Sequence, residues 1–329
     1  MSKLDELLDA SPTLAILDSF AVANLKINDP CNKNISVSIS GGADSDVVLD
    51  MLTKLDVDKK LKYVFFDTGL EYQATKDHLQ YLENKYGVEI IREKAVKPIP
   101  LSCRQHGQPF MSKQVSEFIQ RLQKHNFLWE DKPFEQLLEE YPKCKAALRW
   151  WCNNWGERSK FNISNNKWLK EFMVSNPPGF YISNKCCHYA KKAVVKNFMK
   201  NNKANLNIYG VRKAEGGARS TAYKNCFTNN DGEADEYRPI FWYKEEDKKA
   251  YEKTFNITHS KCYTEYGLER TGCAGCPFGR DFENELEVIE KHEPKLYGAV
   301  NKIFKDSYEY TRKYREFAAR MNAKERGEG

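Results

Sequence analysis

The sequence predicts an α/β fold with a doubly wound, mostly parallel sheet, a helical insertion and C-terminal helices. Three observations carry this prediction. An alternating, β-branched segment at 34–39 is followed by a glycine loop and then by apolar residues at helical spacing. A second strand at 61–66 precedes a helix at 73–86, and a short strand follows at 88–91. Strands that alternate with helices in this rhythm are typical of a parallel sheet.

Composition sets the broad class. The 329 residues suffice for one large α/β domain or two smaller ones, and a net charge of +6 suits anionic ligands without indicating nucleic-acid binding. No apolar run reaches the length of a membrane span, and the first residues lack signal-peptide character. We therefore expect a cytoplasmic protein with no membrane partner, whose ten cysteines are reduced or bound to metal.

The predicted organisation has four parts. Leucines and other apolar residues at 3–28 indicate a packing helix within an N-terminal segment, 1–33. The α/β core is expected in two pieces, 34–99 and 183–245. A helical insertion, 100–182, separates them, and 246–329 holds a cysteine-containing segment and the C-terminal helices. In the last part, residues 282–324 are predicted to form two amphipathic helices broken at Pro294.

The glycine loop after the first strand, SGGADS at 40–45, suits a phosphate group. A strand–loop–helix layout directs backbone N–H groups and the positive end of a helix to one place. Gly41 and Gly42 let the backbone approach a ligand closely, and Ser40 and Ser45 can add hydroxyl donors. Asp44 would repel phosphate, so it is expected to cap the helix or to hold a metal ion or an amide. A tight turn without a ligand would look similar.

The second strand also ends in polar residues, Asp67, Thr68 and Gly69. Ligands of open parallel sheets lie at the carboxyl ends of the strands, so this end and the glycine loop are expected to face one cleft. A plain turn explains the three residues about as well.

The insertion contains a predicted helix at 115–122 and an aromatic, basic tract at 149–158. Tryptophan and arginine together can stack on nucleic-acid bases and pair with phosphates. They can equally form the core of a helical subdomain. We favour the core, because aromatic side chains are more often buried.

Two pairs of cysteines form a second candidate site: the vicinal Cys186 and Cys187, and the C-x-x-C pair Cys273 and Cys276. Four thiolates can hold an iron–sulfur cluster or a structural zinc. A vicinal pair is unusual for zinc, which favours the cluster, although zinc or no metal remain alternatives. The other cysteines lack ligand spacing and are expected to be packing thiols: Cys31, Cys103, Cys144, Cys152, Cys226 and Cys262.

Between the cysteine pairs, a strand at 207–212 ends in Arg212, and Arg219 follows a glycine-rich turn. Two arginines at a strand end suit bidentate contacts to phosphate or sulfate, although surface arginines are common.

Taken in order, these pieces resemble the phosphoadenosine phosphosulfate (PAPS) reductase family of the PP-loop ATP pyrophosphatase (HUP-like) superfamily, over about 34–95 and 183–280. The insertion and the C-terminal helices lie outside this resemblance, and their sequences are loosely similar to those of phage and prophage members of the family. The matching pieces are 40–45, 66–71, 185–187 with Lys191, 210–212 with Glu215 and Arg219, 239–240 with Trp242 and Asp247, and 270–277. The resemblance implies an adenine nucleotide site and a [4Fe-4S] cluster on Cys186, Cys187, Cys273 and Cys276.

This sequence departs from the family pattern at two places, and both bear on which reaction it can catalyse. Ala43 stands where the loop often carries lysine, so one positive partner for the phosphates must come from elsewhere, and Lys191, Arg212 and Arg219 are the candidates. Sulfonucleotide reductases also share a C-terminal Glu-Cys-Gly-x-His segment with a nucleophilic thiolate, whereas the last cysteine here is Cys276.

The favoured hypothesis is an enzyme that binds ATP with Mg²⁺ and cleaves at the α-phosphate. Asp44, Lys191 and Arg212 are its catalytic candidates. It would adenylate a nucleic-acid or protein acceptor and release pyrophosphate for sulfur transfer, with sulfur from a donor protein. One alternative is a reductase that makes sulfite from PAPS or APS through Cys226 or Cys262. The other is a nucleotide-binding redox sensor without turnover.

Overall fold

The computed structural model describes residues 2–216 and 222–327, and its largest sheet is mixed but mostly parallel. The strands are β1 (Ile35–Ile39), β2 (Lys62–Asp67), β3 (Ile90–Lys94), β4 (Leu206–Tyr209), β5 (Phe227–Thr228) and β6 (Asp235–Tyr237). Their order across the sheet is β3-β2-β1-β4-β6-β5. Only β5 and β6 pair antiparallel among these neighbours. The predicted α/β fold with a mostly parallel sheet is confirmed.

The helices occupy most of the remaining chain. In chain order they are α1 (Lys3–Asp9), α2 (Leu14–Asn28), α3 (Ala43–Leu55), α4 (Gln73–Tyr86), α5 (Ile99–His106), α6 (Lys113–Lys124), α7 (Phe134–Glu140), α8 (Lys145–Trp151), α9 (Leu169–Ser175), α10 (Lys185–Cys187), α11 (Ala193–Asn201), α12 (Glu245–Thr254), α13 (Lys261–Thr264), α14 (Phe282–His292), α15 (Pro294–Ile303) and α16 (Lys305–Glu325). A π-helical turn, His188–Lys192, joins α10 to α11. Within the described residues, no helix is both long enough and apolar enough to cross a membrane.

The chain divides into two compact units. The first comprises Met1–Val96 and Ala190–Cys273 and contains the sheet. The second comprises Lys97–Tyr189 and Ala274–Gly329, and the regular elements of its described residues are helices. Each unit is therefore assembled from two separate stretches of sequence.

Two predicted helical regions contain an extra break. The single helix expected at 3–28 is two helices, because Thr13 starts a new one: its side chain accepts a hydrogen bond from the Ile16 amide at 3.3 Å. The two helices expected after 282 are three. One break lies at Pro294 as predicted, and the other lies at Phe304, whose buried ring packs edge-on against Tyr308.

The core of the first unit forms between the sheet and α3. Val37 and Ile39 of β1 and Ile208 of β4 are buried together with Val48 and Leu52 of α3. Because α3 has ten buried residues, it is held tightly at the centre of the unit. The loop between β1 and α3 is thus fixed at both ends.

The core of the second unit is aromatic. Trp150 and Trp151 are 1% and 0% exposed, and they cluster with Phe110, Phe172 and Tyr310. The core interpretation of these two tryptophans is confirmed. Trp155 of the same tract is 37% exposed.

Candidate functional site

The loop at residues 40–42 leaves the carboxyl end of β1 in a conformation that requires glycine. Gly41 has φ of 68°, and a Cβ atom there would lie 2.9 Å from Thr75 Cγ2. Gly42 is the N-cap of α3 and makes no side-chain capping bond. Since the first amides of a helix have no partner within it, the start of α3 is a place where N–H groups can receive an anion.

Side chains brace this loop from within and from α13. The Ser40 amide donates to Ser45 Oγ at 3.0 Å, and the Gly42 amide donates to Ser40 Oγ at 3.3 Å. The Ala43 amide donates to the hydroxyl of Tyr263 at 3.2 Å. The loop conformation is thereby maintained by its own serines and by a neighbouring helix.

The end of β4 presses against the start of α3. A Cβ atom on Gly210 would lie 2.7 Å from the Asp44 carbonyl oxygen and 3.0 Å from the Ser45 amide nitrogen. Only glycine allows the two backbones to approach this closely. The contact brings the residues after β4, including Arg212, to the loop.

Asp44 does not cap the helix, contrary to one of the roles expected for it. Arg212 Nε donates to Asp44 Oδ1 at 2.9 Å, and Arg212 Nη1 donates to Glu245 Oε2 at 2.9 Å. Lys248 Nζ lies 3.6 Å from the same Asp44 oxygen. Burial raises the pKa of Asp44 against the opposing effect of Arg212 and Lys248.

The second carboxylate oxygen of Asp44 is buried and lacks a hydrogen-bond partner among the described residues. A buried acceptor without a donor is costly, so this oxygen is suited to a cation or a donor supplied by a ligand.

Behind the loop lies a buried ionic network centred on Asp46, which is 0% exposed. His78 Nε2 lies 3.0 Å from Asp46 Oδ1, and His259 Nδ1 lies 2.8 Å from Oδ2. The other ring nitrogen of His259 lies 2.9 Å from Glu252 Oε1. Burial lowers the pKa of His259, but Asp46 and Glu252 outweigh it and raise the pKa to about 9. A charged imidazolium therefore links α3 to α12.

The end of β2 is ordered by its own side chains. The Gly69 amide donates to Asp67 Oδ1 at 2.8 Å, and the Thr68 amide donates to Glu71 Oε1 at 3.1 Å. Burial raises the pKa of Glu71, whereas Thr68 and the nearby Lys191 oppose the rise. Because β1 and β2 are parallel neighbours, this turn and the glycine loop lie at the same edge of the sheet, as expected.

Three further residues singled out from the sequence remain: Lys191, Arg219 and Asp247. Lys191 is exposed and lies on the π-helical turn, within electrostatic reach of Glu71. Arg219 lies outside the described residues. Asp247 is one of the positions that match the family pattern, and its role here is structural. Its carboxylate accepts hydrogen bonds from the Lys244 amide at 3.0 Å and from Thr13 Oγ1 at 2.9 Å.

The second unit brings thiols together. The side chain of Cys186 hydrogen-bonds with those of Cys103 and Cys187, and Cys276 acts on it electrostatically. The hydrogen bond with Cys103 raises the pKa of Cys186, against an opposing effect of Cys187. Cys103 was expected to be a packing thiol, and its contact with Cys186 was not expected. Cys273 is the last residue of the first unit.

These sulfurs are not already arranged as metal ligands. Across residues 2–216 and 222–327, no three His, Cys, Asp or Glu side chains are placed to hold a metal ion. The donor set itself fits an iron–sulfur cluster, because it consists of neighbouring thiols, which are soft ligands. Thiols that now hydrogen-bond to one another must lose protons and separate to bind a cluster.

Part of the chain matches a known protein family. Residues 34–148 match the model of the phosphoadenosine phosphosulfate reductase domain. Over this stretch the chain is similar to that domain family. The match starts at β1 and continues into the stretch predicted as an insertion, and it does not include the later pieces of the resemblance at 183–280. The family resemblance predicted from the sequence is confirmed.

The curated relative that matches this chain has a low sequence identity to it. An uncharacterised protein of Methanocaldococcus jannaschii is 24% identical over 279 residues, which cover 83% of this chain and 42% of the relative. The chain thus spans less than half the length of that curated relative.

Among solved structures, PAPS reductase from Candida auris in a phosphate complex has a TM-score of 0.43 at 14% identity, covering 82% of this chain and 93% of that one. The U34-tRNA thiolase NcsA from Methanococcus maripaludis with its [4Fe-4S] cluster has a TM-score of 0.39 at 12% identity, covering 93% and 80%. At these TM-scores, the likenesses do not assign chemistry to this chain.

Sequence reasoning missed several residues that build the two sites. Asp46, His259 and Lys248 could not be singled out, because the contacts of His259 with Asp46 and of Lys248 with Asp44 each span more than two hundred residues of sequence. Tyr263 and Cys103 carried no spacing signal. The one available indication for Cys103 is its place in the stretch at 98–103, where two prolines interrupt the alternation of strands and helices.

Proposed function

We propose that this chain is an adenine nucleotide-dependent enzyme that cleaves ATP at the α-phosphate, adenylates an acceptor and releases pyrophosphate for sulfur transfer. The observation that carries the proposal is the glycine-capped start of α3 at the carboxyl edge of the sheet. Its amides would bind the pyrophosphate and offset the charge that develops on the leaving group.

The charges around the loop support roles for further residues in the proposed reaction. Asp44 places a negative charge beside the expected phosphates, but Arg212 and Lys248 lie within 3.6 Å of its oxygen Oδ1 and compensate it. The oxygen Oδ2 would hold Mg²⁺, which prefers carboxylate oxygen and phosphate ligands. Lys191, which is exposed just before α11, would supply the positive charge that Ala43 does not.

The adenine and ribose would lie toward the turn at residues 67–69, since this turn shares the sheet edge with the loop. Gly69 is exposed and presents a backbone that a nucleoside can approach, while the buried Thr68 donates its amide and its hydroxyl to Glu71, which orders the turn. An iron–sulfur cluster on the cysteines would supply sulfur or polarise the acceptor when bound. The acceptor would be a nucleic acid or a protein, and a separate protein would donate the sulfur.

The proposal is tested by ATP–pyrophosphate exchange. Anaerobically purified protein is incubated with ATP, Mg²⁺ and labelled pyrophosphate, with RNA, DNA or protein fractions as acceptors, and AMP is measured in parallel. We expect exchange that depends on one acceptor class and is abolished by Asp44→Asn. The matched control is Asp58→Asn, an exposed position after α3, which should exchange normally.

Two results would contradict the proposal. Sulfite release from PAPS or APS with thioredoxin, without ATP turnover, would indicate the reductase alternative. Cys262 is unsuited to that role because its thiol is 0% exposed and lies 3.7 Å from Thr75 Oγ1, whereas Cys226 is half-buried. Tight ATP binding without turnover for any acceptor would indicate a nucleotide-binding sensor.

A further inference from the structure

We propose that the second unit carries a binding surface for single-stranded nucleic acid, formed by two exposed aromatic rings and the basic side chains around them. The inference deepens the proposed function, on which it rests only for the role of the bound strand as the acceptor. Binding of the strand needs no ATP and can be tested separately. The residues of this aromatic–basic surface are Lys145, Arg149, Trp155, Arg158, Lys160 and Phe161.

The aromatic tract at 149–158 is divided between the core and the surface. Trp150 and Trp151 are buried, whereas Trp155 is 37% exposed and the nearby Phe161 is 40% exposed. The two exposed rings contact each other, with 5.8 Å between their centroids and an interplanar angle of 51°. Large aromatic rings gain free energy when they leave water, so a pair exposed side by side is suited to a partner that covers it.

Hydrogen bonds hold the two rings on a folded loop. The side chain of Asn162 is 4% exposed; it accepts from the Trp155 amide at 3.2 Å and donates to the Gly156 carbonyl at 2.8 Å. The Phe161 amide donates to Ser159 Oγ at 3.2 Å. The backbone at both rings is thus fixed before a ligand arrives, which lowers the entropy cost of binding.

The stretch that contains these rings is strongly basic. Residues 141–170 include seven lysines and arginines but one acidic residue, Glu157, an excess as large as the net charge of the whole chain. Lys167 and Lys170 pair with carboxylates. Across residues 2–216 and 222–327, the other five basic residues of the stretch form no ion pair: Lys143, Lys145, Arg149, Arg158 and Lys160. Their charges are available to the phosphates of a nucleic acid.

Three of these cations lie beside the rings. The guanidinium carbon of Arg149 lies 5.2 Å from the ring centroid of Trp155, and Lys160 Nζ lies 5.6 Å from that of Phe161. Lys145 precedes Arg149 by one turn of α8, so the two are neighbours on one face of the helix. Cations that alternate with exposed rings suit a single strand, because its phosphates pair with the cations and its unstacked bases lie on the rings.

A single strand fits this surface better than a duplex or an acidic protein. The bases of a duplex stack on one another and offer no free face to Trp155 or Phe161. The carboxylates of an acidic protein pair with the cations but have no ring to stack. The surface therefore favours a ligand that combines phosphates with accessible bases.

The test measures fluorescence anisotropy of short labelled strands, RNA and DNA in separate titrations, with the full chain in the absence of ATP. We expect Trp155→Ala to bind about tenfold more weakly, because stacking of a base on the indole is lost. The double variant Arg158→Gln/Lys160→Gln should flatten the dependence of log K on log salt by about 0.7 for each phosphate contact removed. Binding of either strand supports the inference, and the tighter of the two identifies the acceptor.

Two variants of the same unit serve as matched controls. Tyr181→Ala removes a ring that is 71% exposed. Lys291→Gln/Lys295→Gln removes two positive charges from exposed positions of α14 and α15. Both controls should bind the strand as the wild type does. Circular dichroism checks that each variant folds.

A measurement on the wild-type chain covers the case in which Trp155→Ala does not fold. Strands that carry 5-bromouracil are irradiated in the presence of the chain, and peptide mass spectrometry locates the crosslinked residue. We expect the crosslink on Trp155 or Phe161.

Unchanged affinity of folded Trp155→Ala, or crosslinks confined to other residues, would overturn the inference. Equal affinity for a duplex or for poly-glutamate of matched length would also overturn it, because the surface would then recognise charge alone. A wild-type chain that binds no strand would overturn it as well, while ATP–pyrophosphate exchange with protein fractions would still support the enzyme. Strand binding without exchange for any acceptor would retain this surface and contradict the proposed reaction.

Discussion

His259 should make the stability of the first unit depend on pH in the neutral to alkaline range. Its ring bridges Asp46 at 2.8 Å and Glu252 at 2.9 Å, and its pKa in the folded protein is about 9. An unfolded histidine has a pKa of about 6.5. Since the folded pKa is raised, the stabilisation is complete below pH 6.5, declines as the pH rises and is lost above about pH 9.

The size of the effect follows from the two pKa values. At about 1.4 kcal/mol for each pKa unit, the difference between about 9 and 6.5 amounts to roughly 3 kcal/mol. The side chain is 18% exposed, so solvent screens the ion pairs only in part. We expect His259→Asn to lower the free energy of unfolding by roughly 3 kcal/mol more at pH 6 than at pH 9.5.

The assay is urea unfolding by circular dichroism at half-unit intervals from pH 6 to 9.5, for the wild-type chain and His259→Asn. His125→Asn, in the second unit, reports pH effects unrelated to this network. Parallel curves of unfolding free energy against pH for the wild type and His259→Asn would refute the reasoning. They would mean that the imidazolium gains nothing from its two carboxylates on folding.

Three further predictions follow from the same geometry. Gly210→Ala should lower the free energy of unfolding by about 1–3 kcal/mol in thermal melts, because its Cβ would lie 2.7 Å from the Asp44 carbonyl oxygen, whereas Gly298→Ala, in open space on α15, should not destabilise. Tyr263→Phe should fold normally but bind ATP about fivefold more weakly by calorimetry, since the loop loses the hydroxyl that accepts from the first amide of α3; unchanged affinity would contradict the bracing role. Trp151→Ala should cost about 3–5 kcal/mol in urea unfolding, because the side chain is 0% exposed in the aromatic core; a loss below about 1 kcal/mol would show that the core closes over the gap.

The sheet and the glycine loop could be predicted because their signals are local. Alternating β-branched residues mark β1, and two glycines followed by helical spacing mark the turn into α3. The helix at 73–86 coincides with its prediction. In each case the pattern lies within about fifteen residues and reports the burial of one face.

The surroundings of the loop could not be predicted, because they depend on distant pairing. Arg212 reaches Asp44 only because Gly210 lets β4 approach α3, and this packing is not encoded near either residue. The contact between Cys103 and Cys186 depends on the bridge between Gln108 and Ile182. Spacing rules for ligands treat neighbours in sequence, so a thiol more than eighty positions away escapes them.

The way the two units share the chain sets an order for their completion during synthesis. The central strand β1 pairs with β4, residues 35 to 38 against 206 to 209, so the sheet cannot close until the ribosome has passed both the first stretch of the second unit and β4. The sheet-containing unit ends at Cys273, but the aromatic core of the other unit needs Tyr310 and Tyr314 from α16. The aromatic core of the helical unit therefore remains incomplete while the sheet forms, until α16 has been synthesised.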